Sequence, residues 1–282
     1  MSAPIARRRR PPSRIWAVYA ALVVLCAVFL TPLYWLIASA LKPSYEVFVF
    51  PPVWWPAPAK WVNFVTALTQ LPFARYALNT MLIALLCVVG NVASSAVVAF
   101  GFSRFRFRGR GVLFVVLLAT LMIPYQVVLV PQFILFHALG WVNTFLPLTV
   151  PAFFGSAFYI FLFRQFFLTI PRELEDAAVI DGASWFQVFT RVILPLAKPA
   201  VTAVAIFSFQ GAWNDFLAPL IYLDSPGRFT LQLGLSLFQG SFRSEWNLMM
   251  AASLAVMFPL VVLFFVLQRY FVQGITLTGV KG

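Results

Sequence analysis

Few residues in this 282-residue chain have side chains that could perform catalytic or metal chemistry, since it holds eight acids, one histidine and two cysteines. His137 alone cannot build a histidine metal site, and Cys26 and Cys87 lie inside apolar runs. No G-x-x-x-x-G-K-[S/T] loop is present to bind the phosphates of ATP, and no nucleophile can be matched with a base. We therefore expect a chain that is not an enzyme and binds no cofactor of its own.

Half of the acids lie in residues 171–199, where they are Glu173, Glu175, Asp176 and Asp181. Pro171 suits a first helical position and acidic residues favour a helix N-terminus, so a helix is expected from Pro171, with Gly182 as its stop. Leu174, Ala177, Ala178 and Asp181 have helical spacing, which predicts that both alanines share one face. A second helix, with an apolar stripe of Trp185, Phe186, Phe189, Val192 and Ile193, should end at Pro195. The pattern fits two alternatives: a helical knuckle whose small residues admit a partner backbone, or a connector lying on the membrane surface.

One acid, Asp215, lies inside an apolar run, and Gln210 and Asn214 are its polar neighbours near the outer end of that run. Charged residues at membrane depth usually face a bundle interior or a water-filled path. Asp215 is therefore a candidate for the translocation path, with Tyr125 in a second run. The alternative is a structural hydrogen bond between helices.

The elements that position these residues are apolar helices. The chain is 62% hydrophobic and 10% charged, with a mean hydropathy of +0.92, which excludes both an ordinary soluble domain and disorder. Helices of about 20 apolar residues cross a bilayer, and the runs are continuous, as in helices, and not alternating, as in a β-barrel. The sequence predicts an all-α membrane protein with six spans: Ile15–Leu41, Ala77–Phe102, Val112–Val130, Leu146–Phe163, Ala200–Leu223 and Leu248–Leu267.

The charges orient these spans. With a cytoplasmic N-terminus, fifteen of the twenty basic residues fall inside and five outside, which is a positive-inside bias. Both termini are thus expected in the cytoplasm, and the net charge of +12 needs no nucleic acid. The segment Arg104–Arg110 is interpreted as a topology anchor that contacts lipid headgroups. The first run is longer than a signal-peptide core, which favours an uncleaved helix over a signal peptide.

The chain is expected to form one membrane domain. Residues 1–14 are a basic cytoplasmic N-terminus, residues 15–272 the six-helix domain, and residues 273–282 a cytoplasmic tail. The outer segment 42–75 is rich in Pro and Trp, as is usual near headgroups, and Trp61–Leu68 is predicted to form a short interfacial helix.

The loop resembles that of a known family. The run from Asp176 to Gly182, nine residues, and then Val192-Ile193-Leu194-Pro195 is similar to the EAA loop of ABC importer permeases, E-A-A-x-x-x-G, nine residues and I-x-L-P. Asp176 replaces the usual Glu, and Val192 the usual Ile. The run from Trp213 to Leu217, the pair Asn143-Thr144 and the ending from Phe271 to Gly282 resemble maltose-type carbohydrate permeases.

The resemblance implies a type I ABC importer permease fold and one permease of a pair in the bacterial inner membrane. It implies an ATPase dimer that carries the ATP and magnesium, a second homologous permease, an extracytoplasmic sugar-binding protein and surrounding lipid as partners. It also implies that the loop couples to the ATPase through eight residues: Glu175, Asp176, Ala177, Ala178, Gly182, Val192, Leu194 and Pro195. Of these, Ala177 and Gly182 are expected to pack against the ATPase, and Leu194-Pro195 to fix the loop to the fifth span. The alternatives are less consistent with the sequence, because a stand-alone secondary transporter would carry midplane ionisable residues and a membrane enzyme would carry clustered ligands or a nucleophile.

Overall fold

A computed structural model describes residues 12–239 and 245–279, with side chains for residues 15–239 and 245–266. The helices of these residues are α1 (Pro12–Ala40), α2 (Val62–Thr69), α3 (Phe73–Arg104), α4 (Arg110–Ala119), α5 (Tyr125–Ala138), α6 (Leu146–Thr149), α7 (Ala157–Phe167), α8 (Glu173–Ile180), α9 (Trp185–Gln187), α10 (Leu194–Leu196), α11 (Lys198–Trp213), α12 (Leu217–Tyr222), α13 (Leu231–Ser236) and α14 (Trp246–Gly279). Short 3₁₀ turns occur at Ser44–Glu46, Thr120–Met122, Val150–Phe154 and Pro226–Arg228, and a π turn occurs at Val188–Ile193. The all-α fold predicted from the sequence is confirmed.

The described residues form two compact units. One contains the described parts of Met1–Gln70 and Phe238–Ala255. In this unit, the apolar side chains of α1 from Ile15 to Leu30 are exposed, as expected of a helix whose surroundings are lipid. Asn63 of α2 fixes the end of α1, because its amide donates 2.8 Å hydrogen bonds to the carbonyl oxygens of Ala40 and Lys42. The short helix predicted at Trp61–Leu68 is confirmed as α2.

The other unit contains the described parts of Leu71–Leu237 and Val256–Gly282, and it is built around α3. Helices α7 and α11 both pack along α3. Their shared core includes Ala96, Phe100, Phe163 and Val204, which are all buried. Gly90 of α3 is needed for close approach, because a Cβ there would lie 2.8 Å from Cδ2 of Phe153.

A break between α6 and α7 exposes backbone groups that a lipid environment would leave unpaired. Gly155 takes a left-handed φ of +86° at this break. Serines of α3 supply partners there: Ser94 Oγ donates to the Ala152 carbonyl at 3.0 Å, and Ser95 Oγ accepts from the Ser156 N–H at 3.2 Å. The interrupted span is therefore compatible with membrane depth.

Among the described residues, four helical segments are long and apolar enough to cross a membrane, and two bent helix pairs raise the number to six if each is one span. The four segments are Ile15–Ala40, Phe73–Arg104, Leu146–Phe167 and Trp246–Val266, which agree with four of the predicted spans.

The other two predicted spans, Val112–Val130 and Ala200–Leu223, also contain breaks and are not among these four segments. The chain turns by 95° between Arg110–Met122 and Tyr125–Ala138. Pro124, which lacks an N–H and has ψ of 139°, lies at this turn. In the fifth span, α11 ends at Trp213 and the chain resumes helix at Leu217. Neither break is visible in the sequence, because the apolar pattern continues across both.

Candidate coupling loop and solute path

The loop at residues 171–199 contains two helical segments separated by Gly182. Helix α8 ends in a Schellman motif: the Gly182 N–H donates to Val179 O at 3.0 Å, and the Ala183 N–H to Ala178 O at 2.9 Å. Gly182 has φ of +85°, which a residue with a side chain rarely adopts. The predicted stop at Gly182 is confirmed.

Ser184 begins the second segment with a capping box. Its backbone N–H donates to Gln187 Oε1 at 2.8 Å, and the Gln187 N–H donates to Ser184 Oγ at 3.4 Å. The S-x-x-Q signal for this cap stands in the sequence and was overlooked.

The outward side of α8 is small and open. Ala177 and Asp176 are exposed, and a Cβ built on Gly182 meets no atom within 4 Å. Ile180 on the same helix is 85% exposed, and Phe186 beyond the turn is 74% exposed. A shallow surface of small and apolar side chains therefore lies at the turn between α8 and α9.

The inward side of α8 holds a buried ion pair. Glu175 Oε1 lies 2.5 Å from Arg104 Nε at the end of α3, and both side chains are about 95% or more buried. Arg104 also donates from Nη2 to the Ile170 carbonyl at 3.0 Å. Burial raises the pKa of the Glu175 carboxyl, and the Arg104 guanidinium opposes that rise.

Two interpretations from the sequence are corrected by this pair. The predicted contact of Arg104 with lipid headgroups is wrong, because Arg104 is buried and paired with an acid 71 residues away. The predicted shared face of the two alanines is wrong as well, because Ala177 is exposed and Ala178 packs on the core of the unit. Consecutive residues differ by about 100° around a helix, so an inward-facing Glu175 brings Ala178, three residues on, to its own side.

The second helical segment attaches the loop to α11. Val188, Phe189 and Ile193 are buried in the core, Val192 and Leu194 are half-buried, and Pro195 is exposed. The helix was predicted to end at Pro195 but continues to Leu196. A proline removes only one donor, and the wider π turn at Val188–Ile193 precedes it. The chain then bends by 79° into α11.

The predicted polar cluster lies where α11 ends. The Trp213 indole N–H donates to Val256 O at 3.2 Å, and Asn214 Nδ2 donates to Gln210 O at 3.0 Å. Asp215 Oδ1, two residues before α12, accepts from the Ala218 N–H in the first turn of that helix at 3.3 Å. Asp215 thus has a structural hydrogen bond, but within its own segment and not between helices.

Asp215 also lines two cavities. One has a volume of about 380 Å³ and includes Tyr125, Gln132 and Tyr222. The other has a volume of about 240 Å³ and includes Asn91 and Ser208, whose side chains are joined by a 3.0 Å hydrogen bond. The structure brings Asp215 and Tyr125 to one cavity, while Gln210 and Asn214 line neither.

Sequence reasoning missed Gln132, Asn91 and Ser208. A signal for Asn91 was present, because its amide side chain lies inside the apolar run of the second predicted span. A strongly polar side chain within an apolar helix indicates a face that does not meet lipid.

Comparison with known proteins assigns the family. The model of the binding-protein-dependent transport system inner membrane component family matches residues 90–277. The chain belongs to this family. The probable ABC transporter permease protein YurM of Bacillus subtilis is 35% identical over 96% of this chain and 92% of its own length.

Other proteins similar to this chain are named for the uptake of carbohydrates. The permease DasC of the diacetylchitobiose uptake system of Streptomyces coelicolor is 33% identical over 95% of this chain and 98% of its own length. A chain of a bacterial ABC transporter that imports the acidic polysaccharide alginate has a TM-score of 0.78 at 23% identity and covers 95% of this permease. The match extends over 100% of that chain and confirms the importer permease fold. The resemblance to carbohydrate ABC permeases, which rests on the loop together with the Trp213–Leu217 run, Asn143-Thr144 and the C-terminal ending, is therefore confirmed.

Proposed function

We propose that this permease is a membrane-spanning subunit of an ATP-driven importer for a sugar or oligosaccharide, and that a separate ATPase drives it through the loop at residues 171–199. The proposal is supported mainly by the difference between the two sides of α8. Its outer side is open and small at Ala177 and Gly182, and its inner side is tied to α3 through Glu175. A helix that is open to a partner on one side and rigidly attached to α3 on the other can transmit a movement of the ATPase to the membrane helices.

The attachment leads toward the solute path. Arg104 ends α3, and Asn91 on the same helix lines a cavity that also contains Asp215. A displacement of α8 would pull on α3 directly, and the buried segment from Val188 to Ile193 would pass it to α11. Packed helices transmit such shifts because close-packed interiors deform little.

The proposal assigns the remaining parts to partners. ATP and magnesium belong to an ATPase dimer, a second homologous permease completes the path, and an extracytoplasmic protein delivers the sugar. The permease would lie in a bacterial inner membrane with both termini in the cytoplasm, as the charge bias indicates. Of the eight proposed coupling residues, Asp176, Ala177, Gly182 and Pro195 are exposed, while Ala178, Val192 and Leu194 are half-buried and support the loop from within. Glu175 acts by anchoring it.

A matched pair of glycine substitutions tests the loop. Gly182→Leu adds a side chain at the proposed contact, and Gly140→Leu adds the same side chain at another open, left-handed position, where φ is +69°. Both substitutions introduce the same kind of backbone strain, because a residue with a side chain rarely adopts a positive φ. We expect the first change to reduce at least about tenfold the amount of ATPase that co-purifies with the tagged permease from its host membrane, a loss of roughly 1.4 kcal/mol of binding. The second should leave it unchanged.

Membrane insertion of both variants, measured by their yield in the membrane fraction, controls for folding. Normal ATPase recovery and normal solute-stimulated ATP hydrolysis with Gly182→Leu would contradict the proposed contact.

A further inference from the structure

The two cavities beside Asp215 share a charge pattern. Among the described residues that line them, Asp215 has the only charged side chain, and lysine, arginine and histidine do not occur. The Arg104–Glu175 pair is the single ion pair within the described part of the chain. The carboxylate of Asp215 is therefore not neutralised by a basic side chain there.

The remaining lining suits an uncharged, hydroxyl-rich solute. Tyr125 and Tyr222 add aromatic faces to the larger cavity, and Tyr159 to the smaller one. Aromatic faces pack against the C–H faces of sugar rings, while neutral polar groups such as Gln132 and the Asn91–Ser208 pair exchange hydrogen bonds with hydroxyls. A carboxylate accepts hydrogen bonds from hydroxyls strongly.

The same carboxylate disfavours anions. Two like charges repel strongly where few water molecules separate them, and the cavity walls contain many apolar side chains. Similarity to known proteins does not determine the charge of the solute. One relative belongs to an uptake system for diacetylchitobiose, which is uncharged, and a structurally similar transporter imports an acidic polysaccharide. The cavity lining does distinguish the two classes.

We propose that Asp215 makes this permease selective for uncharged oligosaccharides and excludes anionic ones such as uronates and aldonates. This inference rests on the proposed function, because it names the solute class of the same path. Asp215 is then a specificity-determining residue, and its hydrogen bond to Ala218 holds the carboxylate at the cavity wall.

Matched neutral and acidic sugars test the selectivity. Oxidation of the reducing end of arabinotriose, maltotriose and diacetylchitobiose gives aldonates of nearly the same size with one added carboxylate. Binding of all six would be measured by thermal stabilisation of the complete permease–ATPase complex in nanodiscs. We expect at least one neutral sugar to bind about tenfold more tightly than its aldonate.

Two variants locate the cause. Asp215→Asn keeps a side-chain oxygen for the Ala218 N–H but removes the charge, and it should reduce the difference within the matched pair to less than about threefold. Asp224→Asn makes the same change at an exposed acid that lines neither cavity, and it should leave the difference intact. If Asp215→Asn does not assemble, the matched pairs on the unmodified complex still decide whether the path selects by charge.

The outcomes separate the two proposals. Equal binding of a neutral sugar and its aldonate would overturn the charge selectivity and leave the carbohydrate function standing, as would a difference that Asp215→Asn does not change. Binding of none of the six sugars by an intact complex would overturn both.

Discussion

Two carboxylates of this permease lie among largely apolar side chains, and the structure treats them in opposite ways. Glu175 is buried and paired with the guanidinium of Arg104, which itself bonds to the Ile170 carbonyl. Asp215 is half-buried, has no basic partner among the described residues, and receives one backbone hydrogen bond from Ala218. A neutralised charge fixes two elements to each other, whereas a charge left without a partner is available to a solute.

Helix α3 connects the two regions. Its last residue, Arg104, holds the loop, and its middle, at Asn91, faces the cavity that Asp215 lines. Gly90 lets this part of α3 approach Phe153 closely, so the helix has little room to adjust independently. A rigid α3 is what the proposed transmission from loop to path requires.

The largest expected effect comes from breaking the buried pair. Glu175→Ala leaves the Arg104 guanidinium buried without its partner, and should lower the free energy of unfolding by about 3–5 kcal/mol. Replacing both residues, Arg104→Met with Glu175→Leu, should cost less than this single change, because no charge is stranded. Titration with SDS in mixed micelles measures these losses.

Glu173→Ala is the matched control, since Glu173 is an exposed acid on the same helix and should change stability by less than about 0.5 kcal/mol. A Glu175→Ala loss no larger than that of Glu173→Ala would show that the pair does not hold the loop.

A smaller effect is expected at Asp215. Asp215→Asn keeps the oxygen that accepts from Ala218 and strands no opposite charge, so it should change the free energy of unfolding by less than about 1 kcal/mol. The same micelle titration compares it with Glu175→Ala. A loss at Asp215 as large as that at Glu175 would mean that both carboxylates are structural, and the distinction between the two regions would fail.

The sequence predicted local features better than distant pairings. The helix α8, its stop at Gly182 and the short α2 follow from capping and spacing rules that act within one turn. Asp215 stands out in the sequence as one acid in an apolar run, and the structure places it at two cavities. The family pattern gave the fold, which spacing alone would not have distinguished from other six-span bundles.

What escaped prediction depends on tertiary contacts. The Arg104–Glu175 pair joins residues 71 positions apart, and Arg104 looks like its exposed neighbours until the fold buries it. The breaks at Pro124 and after Trp213 are hidden because hydropathy measures composition and not direction. The inward orientation of Ala178 depends on which side of α8 meets the core, and periodicity does not reveal this.

Photo-crosslinking from Ala177 tests whether the outer side of α8 meets the ATPase. Ala177→Cys would carry a photoreactive maleimide in a chain with Cys26→Ala and Cys87→Ala. Lys60→Cys, at an exposed position of the predicted outer segment, is the control. We expect an adduct with the ATPase from position 177 and none from position 60. An intact complex that gives no ATPase adduct from position 177 would contradict this contact.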